Sequence, residues 1–346
     1  MTEEFTYAKA GVDVSKEKNA YKRIGEILRE TLALRKGKFG EVLSDIGHYA
    51  GLVDIGGGRA LAVHADGVGT KIMVAEFMNK FDTIGIDCIA MNVNDLICMG
   101  AEPVLIVDYL AIEKLDDRII EEIAKGLADG AKQSDVAIVG GETALMPDMI
   151  KGSDLSAMSM GVVEKDKVIT GGSICVGDIV IGLESSGLHS NGLTLARKLL
   201  LGSFNINDAP PELNGRTVGQ ELLEPTKIYV KPVMEMVRSC EVHGLANITG
   251  GAFSKLMRLG DIAGIGFDLY SMPEPHPVFK LMQKIGNVSE REMHRTFNMG
   301  VGFCVIADKK EYGKIEDICK KYGIKCWIIG KAISEKKVFV RGTEVG

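Results

Sequence analysis

From Asp82 to Gly100 the chain reads DTIGIDCIAMNVNDLICMG. This segment has helical length, but its apolar residues recur on every side rather than along one stripe. A helix of that kind must be covered all round, so other elements have to be layered against it. Its polar residues are then the exception that needs explaining. Asp87, Met91, Asn94 and Asp95 are spaced i, i+4, i+7, i+8 and share one face. A carboxylate inside an apolar helix requires a partner. An internal ion pair, a helix cap, a metal or a ligand would each supply one.

The flanking sequence supplies the layers. Residues 19–34 place Ile24, Ile27, Leu28, Thr31 and Leu32 on one stripe, which predicts an amphipathic helix. Short strands are expected around 52–55 and 60–65, joined as a hairpin through Gly56-Gly57-Gly58. Further strands are expected at 104–111, 136–139 and 155–163, with a helix from Asp116 to about Lys132 whose first-turn acids suit the helix dipole. A charged, glycine-containing stretch at 164–172 marks a boundary between residues 1–168 and 169–346. The second half reads as strand 174–183, helix 191–201, a short helix ending at Gly260, strand 264–270, a glycine turn into strand 297–307, helix 310–322, and strands 326–333 and 337–341. Strands and helices alternate irregularly, with hairpins among them. That predicts two α+β domains rather than a doubly wound parallel sheet. No G-x-G-x-x-G opens a βαβ unit, which argues against a dinucleotide fold.

The chain has 346 residues and a net charge of −6, which disfavours nucleic acid and anionic membranes as partners. The sequence holds no apolar run of membrane-spanning length, and its first residues lack a secretion signal. The seven cysteines form no C-x-x-C pair, as expected of buried thiols in the cytoplasm.

Several loops carry chemistry. In HADGVGTK, Asp66 is a hard oxygen ligand, Gly67 and Gly69 leave the backbone bare, Thr70 adds a hydroxyl and Lys71 a positive charge. These are parts for holding a metal-bound polyphosphate, and also parts of an ordinary strand-end turn. Gly140-Gly141 allow close ligand approach, with Glu142 and Thr143 expected at a strand tip. Asp66, Asp95 and Glu142 together would suit Mg2+, which takes few protein carboxylates and keeps positions for water or phosphate oxygens. Lys71 would balance phosphoryl charge. In the second half, SSGLHSNG offers His189, Ser190 and Asn191, EPTKIYVKPV offers Thr226, and NITGGAF offers Thr249, Gly250 and Gly251. Small-residue loops before helix N-termini suit anions. His189 is a candidate acid/base or substrate-orienting group.

The motifs YAKAGVDVSK, HADGVGTK, IGIDCIAMNVNDLICMGAEP, VGGETALMPDM, SSGLHSNG, EPTKIYVKPV, NITGGAF and RTFNMGVGF occur in this order along nearly the whole chain. In that order they resemble the phosphoribosylformylglycinamidine cyclo-ligases. Single motifs are shared more loosely with formylglycinamidine ribonucleotide synthase, selenophosphate synthetase, thiamine monophosphate kinase and a hydrogenase maturation factor. A selenophosphate synthetase would be expected to carry a reactive Cys near the N-terminus, whereas the first cysteine here is Cys88. The resemblance implies ATP and Mg2+, formylglycinamidine ribonucleotide as substrate, and a homodimer whose N-terminal sheets form a barrel-like core. It places Lys71 and His189 in catalysis. It places Asp66, Gly67, Gly69, Thr70, Asn94, Asp95, Gly141, Thr143, Ser190, Asn191, Thr226, Thr249, Gly250 and Gly251 around the nucleotide or substrate. The family commonly has His where this chain has Asn247, and often Gly where it has Ala252.

Overall fold

The structure is a computed structural model and describes residues 6–346 apart from Ala8, Val12 and Asp13, with backbone only for residues 14–19 and 21. Two residues of the expected Ala10–Asp13 turn, Val12 and Asp13, thus lie outside the described residues. The first half runs α1 (Val14–Leu32), β1 (Gly51–Gly56), β2 (Arg59–Gly67), α2 (Ile72–Met78), α3 (Ile84–Ile97), β3 (Glu102–Ile112), α4 (Asp117–Ser134), β4 (Ala137–Leu145) and β5 (Ser153–Glu164). Its sheet has the order β1-β2-β5-β3-β4, antiparallel except for the β3–β4 pair.

The second half runs β6 (Ile179–Glu184), α5 (Leu193–Leu201), α6 (Val218–Leu223), α7 (Val230–Ser239), β7 (Val242–Asn247), α8 (Met257–Ala263) and β8 (Gly266–Leu269). It continues with α9 (Pro277–Gly286), α10 (Glu290–Thr296), β9 (Val301–Ala307), α11 (Tyr312–Lys321), β10 (Cys326–Ile333), β11 (Val338–Val340) and β12 (Thr343–Glu344). Its seven strands are ordered β12-β11-β8-β10-β6-β9-β7. The α+β expectation therefore holds, with one mixed sheet in each half.

Helix α3 is enclosed as its composition requires: every residue from Ile84 to Ile97 except Ile86 is buried. It packs between the first sheet, α4 and the second half. The sheet face beneath it carries Ala60, Ala62, Ile106, Leu110, Leu155 and Ala157, all buried. Its contact with α4 is close because glycines meet there. A Cβ on Gly126 would lie 2.6 Å from the Asp82 carbonyl oxygen, and one on Gly130 would lie 2.8 Å from Ile89 Cβ.

Three elements depart from the sequence reading. The stripe on α1 faces outward, with Ile27 70% and Ile24 50% exposed, so this helix is amphipathic without being docked by that stripe. The strand expected from 174 begins at Ile179. Gly177 turns there at φ +101°, and Asp178 accepts the Cys175 N–H. Finally, β4 does not stop at Gly140-Gly141 but runs through to Leu145. The pairing with β3 shifts by one residue next to Gly140, and neither glycine has positive φ. Gly141 is needed for closeness instead: a Cβ there would lie 2.8 Å from Asp108 Cγ.

Gly126→Ala should lower stability by about 1–3 kcal/mol, because the backbone of the preceding turn cannot yield to the new methyl. Gly313→Ala, which meets open space on α11, should be neutral or stabilising by up to about 1 kcal/mol. Urea unfolding midpoints at equal slope provide the comparison.

Candidate active site

The polar residues of α3 hold the two halves together. Asp87 Oδ1 accepts from Lys71 Nζ at 2.8 Å, the Thr226 N–H at 2.7 Å, the Thr226 hydroxyl at 2.6 Å and the Ser190 hydroxyl at 3.1 Å. Asp87 Oδ2 is buried without a hydrogen-bond partner. Lys71 and Asp87 side chains are both 0% exposed. The ammonium donates a second bond to the Glu224 carbonyl. Burial pulls the Lys71 pKa down, and the Asp87 charge opposes that pull. Farther along α3, Asn94 Nδ2 donates to the Lys227 carbonyl at 2.9 Å and its Oδ1 accepts the Tyr229 N–H at 3.0 Å. Asn92 pairs with the Asp66 backbone in both directions, at 3.2 and 3.0 Å.

These contacts correct the expected role of Lys71. Its ammonium is committed to Asp87 and Glu224 and faces no open space. It braces the 185–192 and 224–230 segments against α3. Thr226, Ser190 and Asn94 belong to the same bracing, and none of them presents a free side chain. His189 is also internal, at 1% exposure and φ +61°. Its Nε2 accepts the Ser186 N–H at 3.2 Å, while Nδ1 is buried without a partner. Burial, with Lys71 and Lys227 nearby, pushes its pKa well below the ordinary histidine value. A neutral, enclosed ring orders its loop; it is not placed for proton exchange with a ligand.

The open chemistry lies about two turns beyond Asp87 along α3. The end of β2 brings Asp66 toward Asp95, and the Oδ2 atoms of both approach His64 Nε2, at 4.0 and 3.6 Å. The Oδ1 atoms are already used: Asp66 Oδ1 accepts the Gly67 N–H at 2.8 Å, and Asp95 Oδ1 accepts Asn247 Nδ2 at 2.7 Å. Neither Oδ2 carries a hydrogen bond among the described residues. His64 Nε2 is likewise a buried nitrogen without one. Burial and the neighbouring Asp95 raise the Asp66 pKa. The two carboxylates are thus brought together beside His64, and their Oδ2 atoms are hard donors of the kind that suits a Mg2+ ion retaining water or phosphate oxygens in its other positions.

The facing wall comes from the second half. Asn247 ends β7 and reaches Asp95 directly. Beyond it, Lys255 Nζ donates to the Thr249 hydroxyl. Lys255 and Arg258 stand over the Tyr49 ring, at 6.0 and 4.9 Å from its centre. Gly250 is close to Asn191, since a Cβ there would lie 3.1 Å from Asn191 Oδ1. Gly251 turns at φ +86°, and Ala252 follows at φ +43°, a left-handed conformation that costs an alanine more than a glycine. A separate cavity of about 870 Å³ is bordered by Ile46, His48, Val168, Arg258 and Ile262; neither acid lines it.

Glu142 does not join the acid pair within one chain. Asp66 aligns across the sheet with Ala157, Asp108 and Gly141, whereas Glu142 aligns with Tyr109, Ser156 and Gly67. Strand pleating therefore puts Glu142 on the opposite face, about 14 Å away across three strand spacings. Among the described residues, no cluster of three or more His, Cys, Asp or Glu could hold a metal. Gly141 and Thr143 are exposed on the same edge strand, and Gly69 and Thr70 are exposed beyond β2. Asn92, His64, Tyr49 and Lys255 were not singled out from the sequence. A buried Asn five residues after Asp87, on the helix already marked as enclosed, was the readable signal for Asn92.

The chain matches the family models described as AIR synthase related protein, N-terminal domain, over residues 47–163, and AIR synthase related protein, C-terminal domain, over residues 176–343. It is 49% identical over 338 residues to the phosphoribosylformylglycinamidine cyclo-ligase of Methanocaldococcus jannaschii, covering 96% of this chain and 93% of that one. It is 54% identical over 317 residues to the enzyme of the same name from Pyrococcus furiosus, covering 92% of each. Among solved structures it resembles a thiamine-monophosphate kinase from Stenotrophomonas maltophilia, with TM-score 0.65, 21% identity, and 91% and 96% of the two chains covered. It also resembles T. maritima PurL complexed with ADP, with TM-score 0.59, 18% identity, and 88% and 45% covered. These structures share the fold.

Asp87→Asn should cost about 3–5 kcal/mol, because Lys71 would remain buried without its counter-charge. Lys71→Met combined with Asp87→Leu should recover much of that loss. Urea unfolding of both variants and the native chain measures the difference.

Proposed function

The chain belongs to the phosphoribosylformylglycinamidine cyclo-ligase family, and from that premise we infer how its site works. The enzyme closes formylglycinamidine ribonucleotide to aminoimidazole ribonucleotide with ATP, in purine biosynthesis. ATP phosphorylates the formamide oxygen, which turns a poor leaving group into phosphate. The substrate's own ring-closing nitrogen then attacks that carbon. The carbon–nitrogen bond forms, phosphate leaves, and nitrogen loses a proton as the imidazole becomes aromatic.

The observation that carries the site assignment is the convergence of Asp66 and Asp95 Oδ2 opposite the Asn247–Lys255 wall. Mg2+ bound there would offset charge on the polyphosphate. Asn92 would hold the Asp66 backbone in place, and Asn247 would keep Asp95 turned toward the site. Gly67, Gly69, Thr70, Asn191, Thr249, Gly250 and Gly251 would border the nucleotide and substrate. The braced loops would keep these groups in fixed positions, which is most of what phosphoryl transfer asks of a protein. A solved relative named T. maritima PurL complexed with ATP shares this fold and supports nucleotide binding here.

A homodimer is the proposed assembly. The sheet face opposite α3 carries Leu61, Val63, Met158, Met160 and Val162, all half-buried, with Val104 and Tyr109 exposed beside them. Edge strand β4 exposes Val139 and Leu145. An apolar sheet face with an open edge calls for a partner. Glu142 lies on that face, so it would meet a nucleotide site only across the interface. We place the enzyme in the cytoplasm: all seven cysteines are free, and no helix among the described residues is long and apolar enough to cross a membrane.

Incubated with ATP, Mg2+ and formylglycinamidine ribonucleotide, the protein should release ADP and form aminoimidazole in equal amounts. ADP release without imidazole would overturn the reading. Asp66→Asn should cut turnover by about 100-fold or more and raise the Mg2+ requirement; unchanged turnover across a Mg2+ titration would remove Asp66 from the metal. Sedimentation should give twice the chain mass, and Val104→Glu should shift it toward the monomer.

A further inference from the structure

We propose that Lys255 is the cation that meets the phosphate chain of the nucleotide, the role that sequence spacing suggests for Lys71. The proposal rests on the cyclo-ligase reading above and adds a residue to its machinery.

The first ground is occupancy. Lys71 is bound to Asp87 and the Glu224 carbonyl. Lys227 pairs with Glu184 at 3.4 Å, and Lys231 donates to the Lys132 carbonyl at 3.0 Å. Lys255 differs from Lys71 and Lys227 in its partner. No carboxylate lies within ion-pair distance of it among the described residues, and its hydrogen bond runs to a neutral hydroxyl, that of Thr249.

The second ground is position. Thr249 follows Asn247 by two residues, and Asn247 is bonded to Asp95. The lysine is therefore on the wall that touches the acid pair. Tyr49, 1% exposed, lies beneath both Lys255 and Arg258 and limits where the two long side chains can go. Arg258 stacks more closely on that ring and borders the separate cavity, whereas Lys255 reaches the Thr249 hydroxyl on the wall that carries Asn247. Burial and Arg258 lower the Lys255 pKa, while the charges of Asp95 and Asp66 raise it, so the ammonium is felt by both acids.

The third ground is charge. A polyphosphate brings more negative charge than one divalent ion removes, and two carboxylates add to it. A half-buried ammonium with no carboxylate partner among the described residues supplies the balance on the facing wall. In the transfer step the γ-phosphorus–oxygen bond to ADP breaks as the bond to the formamide oxygen forms. Lys255 keeps its proton throughout and contributes charge alone.

The test uses the full-length protein and its Lys255→Met and Lys255→Arg variants. Titration calorimetry measures binding of ADP and of a non-hydrolysable ATP analogue in Mg2+, beside aminoimidazole formation and urea unfolding. Lys255→Met should unfold at the native midpoint, bind the ATP analogue about 10- to 100-fold more weakly and lose turnover by at least as much. Lys255→Arg should recover part of both. Should the methionine variant fail to fold, Lys255→Gln takes its place. Native analogue affinity and native turnover in a folded Lys255→Met or Lys255→Gln would overturn the proposal. Absence of imidazole from the unmodified protein would instead overturn the cyclo-ligase reading.

Discussion

The buried contact between Lys71 and Asp87 is the constraint on which the rest of the molecule depends. Removing two charges from water is costly, and one attraction rarely offsets it. Here the cost is met by gathering donors from distant segments onto a single carboxylate oxygen. Lys71 follows β2, Asp87 sits on α3, Ser190 lies in the loop before α5, and Thr226 precedes α7. The pair is satisfied only when both halves are assembled. The chemistry-bearing loops of the second half are thereby set against the helix of the first.

That bracing explains the division of labour along α3. Asp87 and Asn94 fasten the second half, and Asn92 fastens the end of β2. Asp95, at the C-terminal end of the helix, turns its second oxygen toward His64, and Asp66 adds another from the strand. A rigid frame with two unsatisfied carboxylate oxygens is what positional catalysis of phosphoryl transfer requires. The opposite face of the first sheet stays apolar and partly open in one chain.

Much of this was legible in the sequence. The all-round apolarity of residues 84–97 required an enclosed helix, and the structure encloses it. The glycine hairpin at 56–58, the strand running into HADG and the α+β alternation all appear where periodicity and turn chemistry place them. The shared face of Asp87, Asn94 and Asp95 was readable from spacing. Less legible were partners. Nothing local distinguishes a lysine that binds phosphate from one that neutralises a buried aspartate, so Lys71 reads the same either way. Lys255, in an ordinary-looking SKLMRLG segment, carries no local signal at all. Glu142 read as a strand tip because Gly140-Gly141 resembled a turn. In the sheet those glycines instead allow close pairing with β3, and pleating turns Glu142 to the far face.

By itself, then, the sequence determined the α+β class, which helix is central and which residue types are available for phosphate and metal chemistry, because these follow from periodicity, burial and side-chain chemistry within a short window. The ordered motifs also identified the family. Only the tertiary structure decided which acid is consumed by the Lys71 ion pair, which lysines are already taken up by carboxylates, and which side of the sheet each strand residue occupies. Those outcomes depend on contacts between residues more than a hundred positions apart, as between Asp87 and Thr226 or Asp95 and Asn247. The energetic demand that every buried charge find its donors selects among them, and that demand acts on the assembled fold rather than on any one stretch of chain.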